Sequence, residues 1–272
     1  MAQKQFLLEG INSAVNSRIE RPPVKDIDCE NDDFEFFCID IDNYVDRPPK
    51  YMPIDSSRDV SISRLYGITA DGNSVAIHAF NFKPYFYIQI PNSMDIDDGH
   101  MEDLKKYFNT KLQNGGIENC ELTQKKSIMH YSNKLTRFIK VTATLPKHIN
   151  ALRQIIEKGL SWSNDQFWNT TYESSVPHPL RFMIDNGIVG MSWITIPKKK
   201  YELRPRSYKK CTTQMEIDVL DYNSLQCHKS CQGKYSSIAP LRILSFDIEC
   251  LPDNGKFPTP DKDRIIQIGN IC

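Results

Sequence analysis

Asp247 and Glu249, in the run Leu241–Cys250 (LRILSFDIEC), are the residues of this chain whose types and spacing could do chemistry. Side chains in a strand alternate faces at about 3.3 Å per residue. Ser245, Asp247 and Glu249 are therefore predicted on one side, with Phe246, Ile248 and Cys250 pointing into a core on the other. Two adjacent acids repel unless a cation sits between them. Bridging carboxylates at this spacing suit a pair of divalent ions about 3.5–4 Å apart, an arrangement that clamps the attacking and leaving oxygens of an in-line displacement. The alternative is a strand edge with solvated acids. Leu244, Phe246 and Ile248 argue against it, because they mark a buried strand where stray charge is costly.

A second candidate is the densest basic run, residues 198–210 (KKKYELRPRSYKK). It mixes Lys198, Lys199, Lys200, Arg204, Arg206, Lys209 and Lys210 with Tyr201 and Tyr208. Cations neutralise phosphates and aromatic rings stack on unpaired bases, so this is the composition of a single-strand-binding surface. It is equally that of a nuclear import signal or of a solvated loop. Cys227 and Cys231, with His228 between them, invite a zinc reading, but a structural zinc site takes four ligands, usually as two spaced pairs, and Cys211 stands alone. A nucleophile elbow, a phosphate-binding glycine-rich loop and a dinucleotide fingerprint are all absent from the sequence.

The elements that must position these residues read as α+β. The acidic segment 1–60 is interrupted by Pro22-Pro23 and Pro48-Pro49, its first thirty residues are expected to be loosely held, and Phe34–Ile39 is its one strong strand signal. RLYGIT and SVAIHAF are two strands joined through Asp71-Gly72, and PYFYIQIP is a third. Leu104, Phe108 and Leu112 recur at helical spacing behind Asp97-Asp98. Residues 117–131 and 136–141 are extended. Pro146 opens a helix with Ile149, Leu152, Ile155 and Ile156 on one face, closed by Gly159. A short helix ends at Gly187, SWITIP and QMEIDV are strands, and 221–237 is a polar linker. A domain boundary is expected near residue 235.

With 40% hydrophobic and 25% charged residues in 272, the chain has the balance of a globular protein with a sizeable core. No apolar run approaches the ~20 residues of a membrane span, and the start lacks a secretory pattern. Eight scattered cysteines favour reduced thiols inside a cell. The net charge of zero is a sum of unlike parts: residues 1–60, 61–124, 125–210 and 211–272 carry −6, −3, +11 and −2. The central block suggests one surface that attracts a polyanion.

SFDIEC resembles the first exonuclease motif of the family B DNA polymerases. SSIAPLRILSFDIEC followed by GKFPTPDKDRIIQIGNI resembles the same region of their eukaryotic replicative members, and RLYGITADGNSVAIHAFNFKPYFYIQIP and RFMIDNGIVGMSWITIP are similar to their amino-terminal domain. The resemblance implies a sheet-rich amino-terminal domain of small subdomains followed by the first strands of a ribonuclease H-like exonuclease domain, 241–250 and 264–272. It divides the chain into an acidic segment (1–60), a template-binding domain (61–235) and the start of a 3′–5′ exonuclease (236–272). It also implies Mg²⁺ as cofactor, with Asp247 touching both ions and Glu249 also orienting the attacking water. DNA template and primer, accessory subunits and a sliding clamp are the implied partners, and the nucleus the implied location. The sequence stops at Cys272, ahead of the further exonuclease motifs and every polymerase motif. The 272 residues are thus expected to be a piece of a longer enzyme and inert by themselves. The competing readings are a non-catalytic single-strand-binding module and a free-standing 3′–5′ exonuclease.

Overall fold

The structure, a computed structural model, describes residues 21–91, 94–112, 115–126, 133–162, 166–229, 232–252, 255 and 257–271. Its main body is a seven-stranded sheet built from β1 (Phe34–Asp46), β2 (Val60–Ile68), β3 (Ser74–Ala79), β9 (Ser192–Ile196), β10 (Glu202–Leu203), β11 (Met215–Val219) and β12 (Gln226–His228). The spatial order is β10-β11-β3-β2-β1-β9-β12, and only β11 and β3 pair in parallel. The β2–β3 hairpin forms where Asp71-Gly72 predicted it. Gly72 takes φ +86°, a left-handed conformation that costs a residue without a Cβ little.

One face of this sheet is apolar. Phe36, Leu65, Ile77, Ile194 and Ile217 pack with Phe182 of α3 (His178–Asn186). That helix ends at Gly187 with φ +60°, as its sequence position predicted. A second sheet, order β4-β6-β5, contains β4 (Tyr85–Gln89), β5 (Ile117–Lys126) and β6 (Leu135–Ala143). Helices α1 (Met101–Lys111) and α2 (Pro146–Glu157) pack on it through Leu104, Phe108, Ile149, Leu152 and Ile156. A short ribbon, β7 (Leu160–Trp162) with β8 (Gln166–Trp168), joins this core through Leu160 and Trp168. The α+β class holds.

Three expectations change. Residue 60 is no structural boundary, because β1 lies between β2 and β9 inside the sheet. Of the first thirty residues, 1–20 lie outside the described residues, and 21–33 are held rather than loose: Asn73 and Gln214 side chains donate to Pro22 O, and Lys199 N donates to Cys29 O. The segment 221–237 is no linker. β12 closes the sheet edge on β9, and Tyr235 stacks on His228 at 3.7 Å. A polar strand passes for a linker in sequence when the backbone edge it pairs with comes from another part of the chain.

Candidate functional site

Beyond Ala239, which still packs on Trp193 and Phe37, β13 (Ser245–Leu251) and β14 (Arg264–Ile271) form a separate antiparallel pair. Asp247 lies opposite Gly269 and Glu249 opposite Gln267, so the two carboxylates share one face as predicted. Asp247 Oδ1 accepts from Ile248 N at 2.9 Å. Neither acid is ion-paired among the described residues, which leaves both available to a cation.

The expectation of a buried strand is corrected: Phe246 is 68% and Ile248 46% exposed. A two-stranded ribbon has two faces, and the apolar one is buried only when a further layer covers it. Ile268 on β14 is likewise exposed. A pair of acids can supply only part of a two-ion coordination shell. No group of three or more His, Cys, Asp or Glu side chains placed to hold a metal occurs among the described residues. Cys227 sits 3.2 Å from Ser192 Oγ, while Cys231 and Cys272 lie outside the described residues.

The basic run leaves β9 and crosses the opposite sheet edge as β10. Lys198, Lys199, Lys200, Arg206, Tyr208 and Lys210 are exposed, as a nucleic-acid surface needs. Lys209 is half-buried, its ammonium donating to Thr213 O at 2.5 Å. Arg204 is a correction. Its side chain is 1% exposed and paired with Asp218, so it cannot reach a phosphate. Tyr201 is also withdrawn, 3% exposed with its hydroxyl donating to Asp32 O. Nor is the +11 block one surface: β6 lies in the three-stranded sheet and residues 198–210 on the seven-stranded one. Arg181, Lys140 and Arg153 of the block are paired with Glu173, Glu121 and Glu157.

What sequence reasoning missed is the polar face of the large sheet. Arg64 on β2 makes two hydrogen bonds to the directly opposed Asp42 on β1, at 2.9 and 2.6 Å. His78 on β3 lies 2.9 Å from both Glu216 Oε2 and Tyr44 OH. A carboxylate only accepts, so Nε2 donates to Glu216 and Nδ1 accepts from Tyr44. Burial works against the Glu216 charge, but the His78 hydrogen bond and the amides of Lys210 and Cys211 outweigh it and lower its pKa to about 2. Burial holds His78 below its ordinary value. Asp218 accepts from Arg204 Nε at 2.9 Å and from the Tyr51 hydroxyl. Burial opposes the Arg204 charge as well, and Asp218 more than restores it. The signal available in sequence was the alternation MEIDV: the acids of β11 fall on the face opposite Met215, Ile217 and Val219.

Residues 169–272 match the family model described as DNA polymerase family B, exonuclease domain. The class of protein that the chain is similar to is therefore the family B DNA polymerases, the match lying over its second part, and Asp247 and Glu249 fall inside it. More particularly, it is similar to DNA polymerase delta catalytic subunits. The Drosophila melanogaster subunit is 33% identical over 96% of this chain and 25% of its own length. That of Oryza sativa subsp. japonica is 37% identical over 86% and 21%, and that of Schizosaccharomyces pombe 34% over 96% and 23%. The chain thus spans about a quarter of the length of these relatives. The solved family B DNA polymerase from the archaeon Pyrobaculum calidifontis superposes with a TM-score of 0.58 at 21% identity, covering 87% of this chain and 25% of that one, which shows a shared fold.

Proposed function

We propose that this chain is part of a replicative DNA-directed DNA polymerase with 3′–5′ proofreading, in which its sheets bind DNA and its β13–β14 ribbon supplies part of the exonuclease centre. The observation that carries this reading is the Asp247/Glu249 pair, on one exposed strand face inside the region that matches the family B exonuclease domain. Asp247 and Glu249 would hold divalent ions, Mg²⁺ in the cell. Such ions supply the Lewis acidity and the activated water of phosphodiester hydrolysis. Asp247 is assigned to both ions and Glu249 also to the attacking water.

The exposed cations Lys198, Lys199, Lys200, Arg206 and Lys210 are assigned to phosphates, and Tyr208 to a base. Residues 34–46 join 61–235 in this binding part, and the exonuclease strands follow from 236. DNA template and primer are the proposed substrates, accessory subunits and a sliding clamp the proposed partners, and the nucleus the proposed location. A non-catalytic single-strand-binding module is the second reading, favoured by the exposed cations and the Tyr208 ring of the basic run.

Two assays test the proposal. Titration of the chain with Mn²⁺, read by electron paramagnetic resonance, is expected to show weak binding that Asp247→Ala removes; binding that survives this change places the metal elsewhere. The chain alone is expected not to shorten single-stranded DNA in Mg²⁺, and shortening abolished by Asp247→Ala would show that the pair needs no further ligands.

A further inference from the structure

The end of the basic run does not stand alone. Residues 47–50, from the acidic first part of the sequence, face it across a cleft of about 300 Å³. Arg47 and Lys50 lie on one wall, Tyr208 and Lys210 on the other, with Tyr44 and Arg204 among the lining residues. Nothing in the sequence couples these segments, which are some 160 residues apart.

Three features make the cleft suited to an anion carrying a ring. Its charge is positive. Of the lining residues only Asp46 is acidic, bound to Lys210 at 2.7 Å, and Asp218 beneath answers Arg204. Lys50 is exposed and has no ion pair among the described residues, and Arg47, 70% exposed, has only a long contact of 3.7 Å to Asp59. An aromatic ring is offered: Tyr208 is exposed and held edge-on by Tyr51 at 5.1 Å. Both walls are fixed to the sheet by one buried group. Asp218 accepts from Tyr51 on the first wall and from Arg204 on the second, and Arg204 Nη1 donates to Tyr208 O at 3.5 Å. A site whose walls are already fixed loses little freedom on binding.

We propose that this cleft binds one nucleotide unit of single-stranded DNA, with Arg47, Lys50 and Lys210 on the phosphate and the Tyr208 ring on the base. The inference rests on the nucleic-acid-binding reading of the basic run and adds to it two residues that the run does not contain. The volume lies at the lower end of small-ligand sites. Only an unpaired base presents a free face to a ring, so a single strand is the ligand rather than a duplex.

Fluorescence anisotropy of the 272-residue chain with a labelled oligothymidylate, between about 50 and 200 mM salt, tests this. R47A/K50A is expected to bind about tenfold more weakly and to flatten the log–log salt slope by up to about 0.7, the amount for one single-strand phosphate that is no longer neutralised. Y208A is expected to bind at least about fivefold more weakly with the slope unchanged, because stacking releases no counterions, and Y208F to keep both affinity and slope. Arg47 and Lys50 are exposed, so R47A/K50A should melt with the parent. Parent-like binding by R47A/K50A, with weakened binding in K198A/K199A/K200A, overturns the cleft and leaves the nucleic-acid reading standing. Failure of the parent to bind any oligonucleotide overturns both. A duplex held as tightly as the single strand, with Y208A silent, overturns the assignment of the ring.

Discussion

Replacing Asp218 by Asn is expected to weaken the fold and loosen both walls of the basic cleft together. The Asp218 carboxylate is 0% exposed and accepts from Arg204 Nε at 2.9 Å, from Arg204 Nη2 and from the Tyr51 hydroxyl. Asn keeps the shape and one acceptor but removes the charge, leaving a guanidinium that is 1% exposed without a counterion. Removing one partner of a buried pair costs about 3–5 kcal/mol. Against a typical total of about 5–15 kcal/mol, that is a large fraction of the stability. At about 2–4 °C per kcal/mol for a chain of this size, the melting point should fall by about 6–20 °C. Urea unfolding gives the direct reading: a lower midpoint at unchanged slope. The double variant R204M/D218L, which removes both charges, is expected to be far milder than the two single effects added together. A destabilisation below about 1 kcal/mol for D218N, or strict additivity in the double variant, would refute this account of the pair.

Acid should destabilise the fold through His178, whose pKa burial lowers from 6.5 to about 4. The unfolded chain takes up this proton near pH 6.5 and the folded chain only near pH 4, so stability present above pH 6.5 falls as the pH drops through that window. At about 1.36 kcal/mol per pKa unit the decrease is about 3 kcal/mol, and His178→Phe should remove that part of the pH dependence. Gly67→Ala should cost at least about 1–3 kcal/mol, since a Cβ there would lie 2.6 Å from Phe37 O and 2.4 Å from Phe36 Cδ2; a parent-like melting curve would contradict the close packing of β1 on β2. K198A/K199A/K200A should flatten the salt dependence of single-stranded DNA binding by about 0.7 for each phosphate those lysines neutralise, and an unaltered slope removes them from the interface.

Much of the fold was legible in the sequence because the signals were local. The apolar spacing of Leu104 and Phe108 placed α1, Pro146 and Gly159 bracketed α2, and Gly187 closed α3. Asp71-Gly72 placed the β2–β3 hairpin. The β10–β11 edge was not legible. The parallel pairing of β11 with β3 joins residues some 140 positions apart, and no turn residue announces it. The strand β12 read as a linker because Gln226 and His228 are polar, although the β9 edge gives them a backbone partner. In the candidate site the pairing of Asp247 with Glu249 could be read directly. The exposure of Phe246 and Ile248 could not, because alternation says which residues share a face and nothing about what covers it.

Asp247 and Glu249 share a face because strand geometry repeats every two residues, and the sequence by itself determined that, together with the family that the surrounding motif resembles. The tertiary structure alone decided which members of the basic run remain available. Arg204 and Lys210 look alike in the sequence, but Arg204 meets the buried Asp218 while Lys210 keeps half its side chain in water beside Asp46. A charge is drawn out of solvent only where a counter-charge waits for it, and that counter-charge is placed by strand pairing across the sheet rather than by its neighbours in the chain.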